Sequence, residues 1–170
     1  WSWDRILRSP FIKQADVLQG LYLFEENFDY EFIKKHFDFY EPLTVHESSL
    51  SACVHSILAS RLGRIEKAYS LYLRTSRLDL DDYNKEVEEG LHITSMAGTW
   101  MSLVQGFGGV RIINNQLHID SILPKSWKKY NFKIRYRKTS INVEVDKKQV
   151  NIIHSNPSLA IYCHGKLVNI

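Results

Sequence analysis

Ile93-Thr94-Ser95-Met96-Ala97-Gly98-Thr99-Trp100-Met101-Ser102-Leu103-Val104-Gln105-Gly106-Phe107-Gly108-Gly109-Val110-Arg111-Ile112-Ile113-Asn114-Asn115-Gln116-Leu117-His118-Ile119 changes its hydrophobic period part-way along. Ile93, Met96, Ala97, Trp100, Met101 and Val104 recur at helical spacing until Gly106, Gly108 and Gly109 stop the pattern. Beyond the glycines the period is two, and Asn114-Asn115 between two short apolar runs suits a two-residue hairpin turn. The predicted division therefore lies here, with a helical part over 1–107 and a strand part over 108–170.

Working outward toward the start, four further stripes have helical period: Val17, Leu18, Leu21 and Tyr22; Phe32, Ile33 and Phe37; Leu50, Cys53, Val54, Ile57 and Leu58, ended near Gly63; and Ile65, Ala68, Tyr69 and Tyr72. Helices joined by short loops imply an all-α bundle or an α/α barrel. Toward the end, Phe132, Ile134 and Tyr136 alternate with Lys133, Arg135 and Arg137, and Ile141, Val143 and Val145 alternate with polar residues. Lys147-Lys148 and His164-Gly165 mark further turns. An antiparallel sheet domain, a sandwich or jelly-roll piece, is expected.

Composition agrees with a soluble globular chain: 170 residues, 44% hydrophobic, 24% charged and 12% aromatic. No apolar run reaches the ~18 residues of a membrane span, and no segment has the pattern of a secretory signal. Cys53 and Cys163 are far apart and lack metal-ligand spacing, so reduced thiols in a cytoplasmic protein are expected. The chain starts at Trp1 without an initiator Met, and a piece of a longer protein is expected. The net charge of +3 is uneven: residues 125–150 carry nine Lys/Arg against Glu144 and Asp146, a local 9 − 2 = +7. Residues 1–124 carry 12 basic and 17 acidic residues, or −5. Lys133, Arg135 and Arg137 have no aromatics interleaved on their own face, so a solvated sheet face rather than a nucleic-acid surface is expected.

Three polar clusters stand where helices begin. Lys13-Gln14-Ala15-Asp16 offers a point charge and a two-way hydrogen bonder, suited to sugar hydroxyls or an anion, or merely to a solvated first turn. Thr44-Val45-His46-Glu47-Ser48-Ser49-Leu50-Ser51 would present hydroxyls and helix N-terminal amides to an anion. Equally, Thr44 with Glu47 reads as a capping box and Ser48 as an N-cap. In Glu88-Glu89-Gly90-Leu91-His92-Ile93-Thr94-Ser95-Met96-Ala97-Gly98-Thr99-Trp100, His92, Ser95 and Thr99 share a face opposite the apolar stripe. That face suits an anion, a hydroxylated ligand or a polar helix–helix contact, and Gly98 permits a close neighbour.

These clusters, with Arg74-Thr75-Ser76-Arg77-Leu78-Asp79-Leu80-Asp81 between the second and third, occur in an order that closely resembles the phosphorylases of glycoside hydrolase family sixty-five. That group acts on maltose, trehalose, trehalose 6-phosphate, nigerose and kojibiose. The resemblance covers the chain from about Lys13 onward. It implies an α+β chain: the C-terminal helices of an (α/α)6 barrel followed by a small antiparallel β-sandwich, jelly-roll-like domain. It implies inverting phosphorolysis of an α-glucosidic disaccharide, maltose first, to β-glucose 1-phosphate and glucose. No metal or organic cofactor is implied; inorganic phosphate is the co-substrate, and the full-length enzyme is expected to be a homodimer.

In such a reaction phosphate is the nucleophile, so the protein must hold a dianion against the anomeric carbon. The resemblance implies phosphate binding by Ser48, Ser49, His92 and Ser95, and a grip on the glucose by Lys13 and Gln14. The family's general acid, a Glu, lies upstream of Trp1, so no catalytic residue is expected in this chain and the chain alone is expected to be inactive. Two alternatives stand beside this. Glu47 could activate water in a related hydrolase, although capping suits it better. The chain could also be a non-catalytic carbohydrate- or partner-binding piece.

Overall fold

The computed structural model describes residues 2–82 and 85–168, which group into two compact units, 1–106 and 107–170. The first is helical: α1 (Trp3–Leu7), α2 (Asp16–Leu23), α3 (Tyr30–Tyr40), α4 (Ser51–Arg61), α5 (Ile65–Ser76), α6 (Leu78–Asp81) and α7 (Ile93–Met101). No helix among the described residues is long and apolar enough to cross a membrane.

α4 is the hub. Every residue from Ser51 to Ser60 is buried, against α2, α5 and α7. A helix buried all round needs no amphipathic stripe, only side chains that are apolar, small or satisfied. Ser56 illustrates the last case, donating to the Ala68 carbonyl of α5 at 2.8 Å. Leu18, Leu21, Ile33, Phe37, Ala68 and Leu71 complete the core. Cys53 is a buried free thiol whose pKa burial raises to about 11.

α7 corrects the expectation drawn from its apolar stripe. Ile93 is 67% exposed and Trp100 51%, with Met96 and Ala97 also outside, whereas Ser95 and Gly98 are buried. Close packing explains the inversion. A Cβ on Gly98 would stand 2.8 Å from Cys53 Cβ and 3.3 Å from Thr75 Cγ2, so α7 meets α4 and α5 through its small-residue face. The helix then runs on into a π-helical turn, Ser102–Phe107. Gly109, at φ +59°, passes so near Asp120 that a Cβ would lie 2.3 Å from its carbonyl oxygen.

Among the described residues the second unit has seven strands: β1 (Val110–Ile113), β2 (Gln116–Ile119), β3 (Lys129–Tyr136), β4 (Thr139–Asp146), β5 (Val150–Ile153), β6 (Ile161–Cys163) and β7 (Lys166–Leu167). One sheet has the order β3-β4-β5 and is antiparallel. The other has the order β1-β2-β6-β7 and is mixed, because β2 and β6 run parallel. This corrects the purely antiparallel expectation. A parallel pair needs a long crossover, and here the whole β3-β4-β5 sheet serves as one. The turns Asn114-Asn115, Arg137-Lys138 and His164-Gly165 all have positive φ at both residues, as two-residue hairpins of this twist require. Arg137 thus leaves the strand face it was assigned to. It sits in the turn and donates to Asn115 O at 2.9 Å, as does Tyr136 Oη at 2.7 Å. Along β4, Thr139, Ile141, Val143 and Val145 are buried and their neighbours largely exposed, a sheet with one wet face.

Candidate functional site

The segment before α4 is pinned to the Lys13 stretch by backbone pairing. Ile12 and Thr44 form a parallel bridge, Val45 N donates to Ile12 O at 2.9 Å, and Glu47 N donates to Lys13 O at 3.3 Å. The Lys13 ammonium lies 3.6 Å from Glu47 Oε2. The capping box read from Thr44 and Glu47 does not form: Thr44 Oγ1 donates to Tyr40 O, and Glu47 is turned to Lys13. Leu50 is the N-cap of α4 and supplies no side-chain cap. The first-turn amides of a helix have no intrahelical acceptor; that of Ser51 donates to Ser48 O at 3.1 Å, and the positive end of the α4 dipole lies beside Ser48 and Ser49. Ser48 Oγ accepts from Leu50 N at 3.3 Å.

The start of α7 meets this loop. Ser49 Oγ and Thr94 Oγ1 are 2.7 Å apart, which brings the N-termini of α4 and α7 together. His92, the N-cap of α7, is held by one carboxylate at two points: Asp79 Oδ1 lies 2.6 Å from His92 Nδ1, and Asp79 Oδ2 accepts from His92 N at 3.1 Å. That grip fixes the ring, aims the Nδ1 proton at Asp79 Oδ1 and leaves Nε2 3.3 Å from Glu86 Oε2. The hydrogen bond from Asp79 raises the His92 pKa, and the reciprocal bond lowers that of Asp79. In its protonated form His92 has one N–H committed to Asp79 and the second facing Glu86.

One of the six predicted site residues, Ser95, stands apart from this meeting point. Ser95 is 2% exposed and donates to Thr75 O at 2.8 Å, so it joins α7 to α5 and cannot reach a ligand. Thr94, one residue earlier, occupies the place expected of it. Gln14 is exposed and donates to Asp16 Oδ1 at 3.2 Å. Sequence reasoning missed Thr94, Asp79 and Glu86. Asp79 lies inside the quoted Arg74–Asp81 stretch, but nothing in its spacing pairs it with a histidine thirteen positions later.

Behind the loop is a second cluster. Glu41, His46 and His55 offer ligand-type atoms within 4.8 Å of one another. His55 is fully buried, and among the described residues neither ring nitrogen has a hydrogen-bond partner. Burial, and then the neighbouring His46, lower its pKa to about 3, so its ring is neutral. Burial pushes the Glu41 carboxyl up, but the facing His46 ring and the Lys67 ammonium outweigh it and hold Glu41 at about 2. Lys67 Nζ lies 2.5 Å from Glu41 Oε1, the oxygen that also faces His46 Nε2 at 3.8 Å. Lys67 thus already neutralises Glu41, while among the described residues His46 Nε2, like both nitrogens of His55, has no hydrogen-bond partner. A cavity of about 280 Å³ lined by Glu41, His46, Lys67, Ser70, Leu71 and Arg74 opens beside it.

Comparison with known proteins bears on this geometry. The chain is 59% identical over 150 residues to the maltose phosphorylase of Bacillus subtilis (strain 168), covering 88% of this chain and 20% of that one. It is 46% identical over 150 residues to the alpha,alpha-trehalose phosphorylase of Thermoanaerobacter brockii, covering 88% and 19%. It is 38% identical over 161 residues to the kojibiose phosphorylase of Halothermothrix orenii, covering 95% and 21%. The chain thus spans about a fifth of the length of these relatives. A solved structure described as a kojibiose phosphorylase from human microbiome superposes with a TM-score of 0.92 at 43% identity, over 99% of this chain and 25% of that one. Residues 1–101 match the glycosyl hydrolase family 65 central catalytic domain and residues 110–170 the C-terminal domain of the same family, so the chain belongs to glycosyl hydrolase family 65.

Proposed function

We propose that this chain forms the phosphate-holding part of an inverting disaccharide phosphorylase. The observation that carries the reading is the Ser49–Thr94 hydrogen bond, which brings two helix N-termini and the Asp79-held His92 to one place. Phosphate oxygens accept from the Ser48 and Ser49 hydroxyls, from first-turn amides of α4 and from His92 Nε2–H, with Glu86 giving way to the anion. A phosphate oxygen attacks the anomeric carbon from the face opposite the leaving oxygen. One C–O bond forms as the glycosidic C–O bond breaks, and a general acid outside this chain gives the leaving oxygen its proton. Inversion of an α-glucoside yields β-glucose 1-phosphate and the freed sugar. Lys13 and Gln14 grip the glucose whose bond is broken, with Lys13 held beside the phosphate loop by Glu47.

Maltose is the first substrate to try, because the 59%-identical relative is a maltose phosphorylase. An α/α barrel is the architecture we infer for the helical unit in the full-length protein. The match to a central catalytic domain supports it, as does the outward apolar face of α7, a surface that further helices would cover. In the full-length enzyme, maltose breakdown should require added phosphate, and His92→Ala should abolish it without changing the far-ultraviolet circular dichroism. Phosphate-independent breakdown would favour a hydrolase using Glu47, and full activity of the His92 variant would remove the site assignment.

A further inference from the structure

The residue that turns the chain into the Ser48–Ser49 loop is a histidine in a backbone conformation that histidine seldom adopts. His46 has φ +55°, in the left-handed region. Before it, Val45 pairs with Ile12; after it, Glu47 pairs with Lys13, so His46 is the pivot between a strand-like segment and the two serines. Groups from separate elements hold the pivot. Arg74 of α5 donates to the His46 carbonyl at 3.1 Å. His46 Nδ1 lies 2.9 Å from the hydroxyl of Ser51, the first residue of α4. On its other side Nε2 faces Glu41, itself gripped by Lys67 of α5, and the His55 ring stands edge-on with centroids 4.6 Å apart. Left-handed non-glycine residues persist when their surroundings over-determine them, and such residues concentrate at functional sites.

We propose that His46 is the positioning residue of the phosphate loop, its ring and carbonyl clamped by Ser51, Glu41 and Arg74 so that Ser48 and Ser49 are in place before phosphate arrives. The proposal rests on the reading of Ser48, Ser49 and His92 as the phosphate site. Donors fixed in advance need no rearrangement at the moment of reaction, and this is where their effect on rate and affinity comes from. The network lies on the inner side of the loop, where it can orient the serines without touching the anion.

The test is phosphorolysis by the full-length enzyme, with KM for phosphate and KM for the disaccharide measured separately. His46→Ala removes the ring and leaves the left-handed turn on a residue that disfavours it. The phosphate KM should rise about ten- to a hundredfold, the scale expected for donors misplaced by roughly 1 Å, while the disaccharide KM should change by less than about twofold. His46→Asn, short, polar and tolerant of left-handed backbone, should recover part of the loss. His46→Gly, which relaxes the backbone but has no ring, should not; full recovery by glycine would overturn the role of the clamp. An unchanged phosphate KM, or a parallel rise in both KM values, would overturn it too. If His46→Ala fails to fold, Glu41→Gln keeps the shape and weakens the group that faces both Nε2 and Lys67. It should give a smaller but equally selective rise, and no rise would count against the proposal. Ser49→Ala and His92→Ala separate the two levels. If they leave the phosphate KM alone, the phosphate-site reading falls; if they raise it and His46→Ala does not, only the positioning role falls.

Discussion

Replacing Gly98 by Ala should weaken the helical unit and the proposed phosphate site together, whereas the same change at Gly20 should strengthen the unit. Both glycines lie inside helices, α7 and α2, where Gly→Ala gains up to about 1 kcal/mol of helix propensity. At Gly20 a new Cβ meets nothing within 4 Å, so that gain stands alone. At Gly98 it meets Cys53 Cβ at 2.8 Å, Cys53 Sγ at 3.0 Å and Thr75 Cγ2 at 3.3 Å. Real Cβ atoms do not approach so closely, so α7 must move away from α4 and α5. Overpacking of this kind costs about 1–3 kcal/mol. The net effect at Gly98 is a loss of roughly 0–2 kcal/mol, and the two variants should differ by about 1–3 kcal/mol. Urea unfolding of the chain followed at 222 nm reads the difference. Thr94 lies one turn before Gly98, so displacement of α7 should also stretch the Ser49–Thr94 bond and raise the phosphate KM of the full-length enzyme. If Gly98→Ala stabilises as much as Gly20→Ala, the close α4–α7 contact is wrong, and with it the reason the apolar stripe of α7 faces outward.

Two further expectations concern pH. Asp79 raises the pKa of His92, so the imidazolium is complete below that raised value and is lost as pH rises through it. Asp79→Asn should make the phosphate KM of the full-length enzyme climb from a lower pH than in the parent; an unshifted profile would show that Asp79 does not set the charge of His92. His55 has its pKa lowered to about 3 from an ordinary 6.5, so the unfolded chain takes up a proton that the folded state refuses. The stability tied to this group is complete above about pH 6.5 and should fall as pH drops toward 3, by at most about 1.4 kcal/mol per pH unit. Glu41, held at about 2, loses its contribution only below its ordinary 4.5. The urea midpoint of His55→Leu should therefore decline less between pH 6.5 and 4.5 than that of the parent, and equal slopes would mean that His55 is not neutral when folded.

The helices and hairpins were legible because their signals are local. The change of period at Gly106–Gly109 marks the passage from helix to strand, and Asn114-Asn115 and His164-Gly165 take up the left-handed turn that their chemistry allows. What was not legible depends on partners distant in sequence. Alternation along Gln116–Ile119 and Ile161–Cys163 says which residues face the core, but carries no direction, so the parallel pairing of β2 and β6 leaves no trace in it. Thr44 and Glu47 have capping-box spacing, yet Tyr40 and Lys13 offer them other partners and win. Asp79 and His92 lie on either side of a loop, and only the fold closes the distance between them.

The inversion of α7 links packing to function. Periodicity marked two faces on this helix, one apolar and one small and polar, but not which of them faces inward. An apolar face inward would have buried more hydrocarbon within this chain, at about 25 cal/mol per Å². It would also have set α7 farther from α4, because Met96 and Trp100 are bulkier than Ser95 and Gly98. With the small face inward, the helices approach until Gly98 touches Cys53, and at that spacing Thr94 reaches Ser49. The proposed sharing of one anion by the two polar clusters depends on this separation. The apolar face left outside then suits cover by other polypeptide, in keeping with a chain that spans a fifth of its relatives' length. Short-range packing on the inner face thus sets the distance across the proposed phosphate site, and the outer apolar face is left uncovered within this chain.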